Sequence, residues 1–432
     1  MNQYGVHSTS GRALPGPACR PWRMLVAAVL GVAVLGLQAQ AQNAAPPAQP
    51  APGLPRTPAD AAAIEQRRSL PITPFYDDVR DLSASRRGAL LRQESGTGYV
   101  GLPPGSQAVR IMYHSEDSDG RDVATSGVVL VPPGAPPAGG WPVIAWAHGT
   151  TGVARQCAPS LATNLAYAGW GLADMVAAGF AVVATDYRGL GTPGPHRYMD
   201  KLSQAWDVVH SIPAARAAVP ALGSRWLVNG HSQGGAAAWG VAELQTTLKD
   251  PNYLGAVSVA GATQLKWALA NHPTNRQTGH YLAWRAYAIQ AYFPDYDPRR
   301  LLTPAGMAYY KEVTSDGCFL YGLVSYAKSG IDGLLQPDWG KSAYVRHHFE
   351  QNEVGRQPLA GPILVIAGEG DKTVPIEATR DSVQHACARR AQVSLKVYPG
   401  LDHLPTMTET VREQIAWMRE RFQGAAVTDA CR

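Results

Sequence analysis

Ser232 stands in Gly230-His231-Ser232-Gln233-Gly234-Gly235. A serine between two glycines at that spacing can be a nucleophile on a turn too sharp to tolerate side chains at 230 and 234. Its hydroxyl is a poor nucleophile until a base takes the proton. A histidine has the right pKa for that near neutrality, and a carboxylate on the other ring nitrogen fixes the tautomer. His403 and Asp371 are the candidates, giving the chain order Ser232, Asp371, His403. An oxyanion formed at Ser232 needs two N–H donors. The backbone N–H of Gln233 supplies one, and that of Thr150, in His148-Gly149-Thr150-Thr151-Gly152, the other, with Thr151 its rival. A glycine at 149 is expected to let backbone come close to a substrate.

Each assignment has a competitor. Glu369 shares a loop with Asp371. Asp402 adjoins His403 and is read as a surface residue. His231 is read as a packed neighbour of the serine, and His148 as a structural residue of the oxyanion loop.

These residues need a scaffold that gathers them. The run Arg225–Asn229 reads as a buried strand leading into the serine, and Ala236–Leu244 as a helix leaving it. Pro142–Ala147, Phe180–Thr185, Ala256–Ala260, Pro362–Ala367 and Val393–Tyr398 are further apolar runs of the kind buried on both faces of a parallel sheet. Helices are expected near 161–178, 203–218 and 408–422. Ala108–His114 and Ala124–Val131, separated by Ser118-Asp119-Gly120, read as an antiparallel pair. The alternation predicts an α/β fold with a mostly parallel sheet covered by helices on both faces. In such sheets chemistry gathers at the carboxyl ends of the strands, where Ser232, Asp371 and His403 all fall.

The alternation stops from 261 to 355, about 95 residues, far more than a connecting loop. This stretch is rich in aromatics, Tyr281, Trp284, Tyr287 and Tyr309 among them, and reads as an inserted helical cap with a small core of its own. The core is thus expected over 71–260 and 356–432. Residues 42–70, rich in Ala, Pro and Gln, read as a linker or loosely packed arm.

The N-terminus carries Arg12, Arg20 and Arg23, an apolar stretch Met24–Leu37 and Ala39-Gln40-Ala41, the pattern of a signal peptide cleaved near Ala41. That stretch is shorter than the ~20 residues of a membrane span. A secreted or periplasmic protein is expected, an uncleaved anchor being the alternative. Beyond Cys19, four cysteines remain. Of three possible pairings, Cys157–Cys318 and Cys387–Cys431 are favoured: one is expected to tie the sheet edge to the insertion, the other to staple the C-terminus. His347-His348 lacks metal-site spacing, so no metal site is expected. The net charge of +5 comes with no basic run interleaved with aromatics, which argues against nucleic-acid binding.

Together, Trp146–Gly152, Cys157-Ala158-Pro159-Ser160, Thr185–Thr192, the Ser232 motif and Asp371-Lys372-Thr373-Val374-Pro375 with His403 resemble the secretory lipase family of α/β-hydrolases, which includes fungal secreted lipases and related bacterial esterases. The resemblance spans roughly 75–425. It implies hydrolysis of carboxylic esters, small-molecule or lipid, with no cofactor, a late cap and secretion. Arg188 departs from the acidic residue many relatives carry. Few Leu, Ile or Phe runs in the cap favour soluble acyl or aryl esters, or polyesters, over long triglycerides. A peptidase on the same fold is the alternative, with Glu312, Asp316 or Asp332 to hold a substrate amine. A non-catalytic surface-binding protein is a second.

Overall fold

Nine strands form one sheet: β1 Leu90–Ser95, β2 Gln107–Glu116, β3 Asp122–Val131, β4 Trp141–Ala147, β5 Ala181–Thr185, β6 Leu222–His231, β7 Tyr253–Val259, β8 Ile363–Gly368 and β9 Val393–Tyr398. The computed structural model describes residues 54–77, 86–271, 278–428 and 431. The expected leader over 1–41, and 42–53 of the arm, lie outside the described residues. The strand order is β1-β2-β3-β5-β4-β6-β7-β8-β9. β1, β2, β3 and β5 pair antiparallel in succession, and every pair from β5–β4 to β8–β9 is parallel.

The apolar run of β4 divides between two cores. Val143, Ala145 and Ala147 point to one face of the sheet and Ile144 and Trp146 to the other. This is why the strand shows no polar alternation: helices cover both of its faces. The β2–β3 turn closes on Asp117, whose Oδ1 accepts the N–H groups of Asp119 (2.9 Å) and Arg121 (3.0 Å).

Three elements differ from the sequence expectation. The helix expected over 161–178 shrinks to Leu172–Ala177, preceded by short 3-10 turns. Leu165 and Ala166 adopt φ of 51° and 57°, and Gly171 φ of 107°, which break the helix. β1 was not expected, because Leu90-Leu91-Arg92-Gln93-Glu94-Ser95 is an edge strand with little apolar pattern. It is held by the register with β2 and by the Glu94–Arg110 ion pair at 2.9 Å. Among the described residues, the first element is the helix Pro58–Arg68, N-capped by Thr57, ahead of Pro71.

Between β7 and β8 the chain forms short helices, from Leu265–Asn271 through Gly279–Tyr292 to Ala343–Gln351. Trp284, Tyr296 and Tyr326 are fully or almost fully buried within this segment, and the Trp284 indole donates to the Val313 carbonyl at 2.8 Å. These aromatics do not form a separate core: they belong to one apolar cluster that continues into one face of the sheet. Cys157 and Cys318 are disulfide-bonded, joining this segment to the loop after β4, and Cys387 is bonded to Cys431.

Candidate active site

β6 ends at His231, the helix Gln233–Leu248 begins two residues later, and Ser232 alone makes the turn. Its φ of 56° and ψ of −117° are strained for a residue with a side chain. A Cβ on Gly230 would lie 2.1 Å from the Gly234 carbonyl oxygen, and one on Gly234 would lie 1.8 Å from that of Ala147. Only glycine at both positions lets β4, β6 and the helix approach this closely.

The Ser232 hydroxyl lies 2.9 Å from His403 Nε2, and His403 Nδ1 lies 2.7 Å from Asp371 Oδ2. Since the carboxylate can only accept, Nδ1 carries the ring proton and Nε2 is left to accept from the serine. The N–H groups of Thr373 and Val374 both donate to Asp371 Oδ1 at 2.8 Å. The Asp-Lys-Thr-Val-Pro turn therefore holds its own carboxylate still. All three side chains sit in mostly buried residues, which strengthens their mutual hydrogen bonds.

Asp402 is more than a surface neighbour. It N-caps the helix His403–Glu409, accepting the His403 N–H at 2.8 Å, and the same oxygen accepts the Lys372 N–H at 3.1 Å. One carboxylate thus ties the loop of Asp371 to the loop of His403. The N-cap was legible as an Asp before an apolar turn; the second contact was not.

The other candidates lie apart from this chain of bonds. Glu369 pairs with Arg380 at 3.3 Å on the surface. His231 lies tilted beside His403 with ring centroids 4.8 Å apart, and its Nδ1 accepts from the Tyr167 hydroxyl at 3.0 Å. Burial holds its pKa well below the ordinary value, so it is a neutral support. His148 points one ring nitrogen at the Gly149 carbonyl (2.6 Å) and the other at that of Asp186 (3.1 Å), bracing the loop. Arg188 anchors structure through the Asp117 carboxylate at 2.8 Å, and its N–H donates to Asp207 at 2.9 Å.

Thr150 and Ser232 line the same pocket. Among the described residues, the N–H groups of Thr150, Thr151 and Gln233 have no hydrogen-bond acceptor. The Thr150 side chain is turned to the Tyr198 hydroxyl (3.0 Å), and the Gln233 amide to His196 Nε2 (3.4 Å). The reason for glycine at 149 differs from the expectation: a Cβ there would fall 2.1 Å from the Tyr167 hydroxyl, inside the protein. The segment between β7 and β8 supplies Leu269, Tyr281, Leu282, Arg285 and Ile331 to the pocket wall. Glu312, Asp316 and Asp332 are not among the lining residues.

A mostly parallel sheet, a strained serine on the turn after a central strand, and an aspartate and a histidine after the last two strands define the α/β-hydrolase class. Residues 163–430 match the secretory lipase family, and the chain belongs to that family. It is accordingly a carboxylic ester hydrolase, and the family and its two disulfides mark an extracellular protein. Solved structures of similar fold include lipase A of Candida antarctica in its closed state, 17% identical, with TM-score 0.71 over 84% of this chain and 89% of that one. The rice cell wall degrading esterase LipA of Xanthomonas oryzae is 18% identical, with TM-score 0.63 over 78% of this chain and 98% of that one. A hydrolase of Legionella pneumophila is 18% identical, with TM-score 0.61 over 78% and 100%. At these identities the likeness is one of fold.

Proposed function

We propose that Ser232, His403 and Asp371 hydrolyse carboxylic esters through an acyl-enzyme. His403 Nε2 takes the hydroxyl proton as Ser232 Oγ attacks the carbonyl carbon. Asp371 holds the ring and stabilises the imidazolium. The N–H groups of Thr150 and Gln233 receive the oxyanion, helped by the start of the helix Gln233–Leu248. His403 then gives the proton to the departing alcohol. Water, deprotonated by the same nitrogen, releases the acid. The observation that carries this reading is the continuous hydrogen-bonded line from Ser232 through His403 to Asp371.

The helical segment 261–355 acts in this reading as a cap that excludes water from the acyl-enzyme. The core around it is 71–260 with 356–432, and the mature chain starts after cleavage near Ala41. Substrates are small-molecule or lipid esters, with soluble acyl or aryl esters and polyesters preferred. An amine-holding peptidase pocket needs a carboxylate, and among the described residues that line this pocket there are Arg285 and Lys372 and neither Asp nor Glu.

The test is a series of p-nitrophenyl esters of increasing chain length, with wild type beside Ser232→Ala. Turnover that drops about a million-fold in the variant is expected. A rate jump above the solubility limit marks action at a lipid interface. Ester turnover that survives Ser232→Ala removes the proposal.

A further inference from the structure

Arg285, on the helix Gly279–Tyr292, is only 5% exposed and lines the pocket beside Ser232. Its guanidinium lies over the rings of Tyr198 (5.8 Å) and Phe349 (5.0 Å). Nη1 donates to His348 Nε2 at a long 3.5 Å, and His348 is itself neutral because burial holds its pKa well down. Among the described residues no carboxylate pairs with Arg285. Burial draws its pKa down to about 10, which leaves it cationic at neutral pH.

A guanidinium has five N–H donors in a planar fork that matches a carboxylate. A buried cation is ordinarily paired, because leaving water is costly for a charge. Among the described residues, two aromatic faces and one long hydrogen bond are what surrounds this cation. Among the described residues that line the pocket none is acidic, so the charge of Arg285 favours an anion there. Leu269, Leu282 and Ile331 line the rest of the same wall, which suits an aliphatic chain ending in a charge.

We propose that this pocket takes esters bearing a carboxylate, and that the Arg285 guanidinium receives it. The inference rests on the reading of Ser232 as the nucleophile. The carboxylate can be carried by the acyl part, as in a dicarboxylic acid monoester. It can also be carried by the alcohol part, as in the chain end of a polyester fragment. Both present the same group to Arg285.

The experiment compares matched esters on the full-length protein. The acyl arm sets 4-nitrophenyl hydrogen glutarate against 4-nitrophenyl pentanoate. The alcohol arm sets the butanoate ester of 5-hydroxypentanoate against pentyl butanoate, followed by acid release. Each kcat/KM is normalised to the hydroxide-catalysed rate, and the readout is the ratio of charged to neutral ester. In wild type the ratio exceeds one in at least one arm, and Arg285→Gln lowers it about ten- to a hundredfold, the range of a charged hydrogen bond. Arg285→Lys, which keeps the charge and loses the fork, lies between.

A ratio equal in wild type and Arg285→Gln in both arms overturns the proposal, since a merely structural arginine would lower both esters together. A ratio that instead collapses in Lys372→Met overturns it too. A wild-type ratio at or below one in both arms does so without any variant, should Arg285→Gln not fold. Turnover of neutral esters with no charge preference leaves the Ser232 reading standing. Absence of all ester turnover, or turnover that survives Ser232→Ala, takes down both.

Discussion

Glu65, on the first helix, accepts the backbone N–H of Cys318 at 2.9 Å, at the start of the helix Phe319–Ser325 and beside the disulfide to Cys157. Its other carboxylate oxygen accepts the Tyr321 N–H at 3.0 Å. The first helix, the segment between β7 and β8 and the loop after β4 therefore meet at one point. Burial raises the Glu65 carboxyl pKa and these backbone hydrogen bonds oppose the rise.

Replacing Glu65 by Ala orphans two N–H groups that begin the helix Phe319–Ser325. A loss of about 1–3 kcal/mol is expected at pH 7, read from urea unfolding. Glu65→Gln, which keeps one acceptor, should recover part of it. An unchanged midpoint for Glu65→Ala would mean that water replaces the carboxylate without penalty.

Asp402 joins the two loops that carry Asp371 and His403. Asp402→Ala should lower kcat about ten- to a hundredfold through misplacement of the imidazole, with KM little moved. Asp402→Asn keeps an oxygen acceptor and should retain most of the rate. A fall confined to thermal stability, with kcat intact, would assign Asp402 to capping alone.

Gly149→Ala drives a methyl into the Tyr167 hydroxyl. The loop bearing Thr150 must shift, and kcat should fall about a hundredfold, as for loss of one oxyanion donor. Tyr167→Phe removes the obstructing oxygen, so the double variant should be more active than Gly149→Ala. A double-mutant cycle reports this coupling, and strict additivity of the two substitutions would contradict the clash.

Acid should destabilise this protein, by competition between two sets of buried groups. Burial holds His148, His196, His210 and His280 down at about 4, 3, 4 and 3. The unfolded chain takes up these protons first, so stability from neutral rings is present above about pH 6.5 and is lost as pH falls toward 4. Asp186 and Asp207 work in the opposite sense, pushed up by burial to about 6 each. The folded state takes up their protons between about pH 6 and 4, which relieves it on acidification. His114, His231 and His348 are lowered as well, and Glu65, Glu116, Asp200, Glu243 and Glu413 are raised, but the histidines at about 3 and 4 have moved further from their ordinary value than Asp186 and Asp207 have, so the histidines prevail. Calorimetry between pH 7 and 5 should show a falling Tm with net proton uptake on unfolding. Net proton release at pH 5 would give the balance to the carboxylates.

The amino-acid sequence determined by itself what is locally enforced. The runs of β4, β5 and β8 are continuous because both faces of those strands are covered, so they read as parallel strands without any partner in view. Gly230 and Gly234 announce the elbow because nothing larger fits, and Asp371 and His403 follow from standing after strands. Tertiary structure alone decided the features whose stabilising partners lie far away in the chain. β1 is a polar segment that becomes a strand by pairing with β2. The helix Pro58–Arg68 has few buried residues and is held through Glu65 to backbone more than 250 positions on. Leu165 and Ala166 break a helix in left-handed conformations that no glycine foretells. Nothing in the residues beside Arg285 marks it as a buried cation. Only the packing of the segment between β7 and β8 buries it in the pocket that Ser232 also lines, since burial depends on what covers a residue and not on its neighbours in sequence.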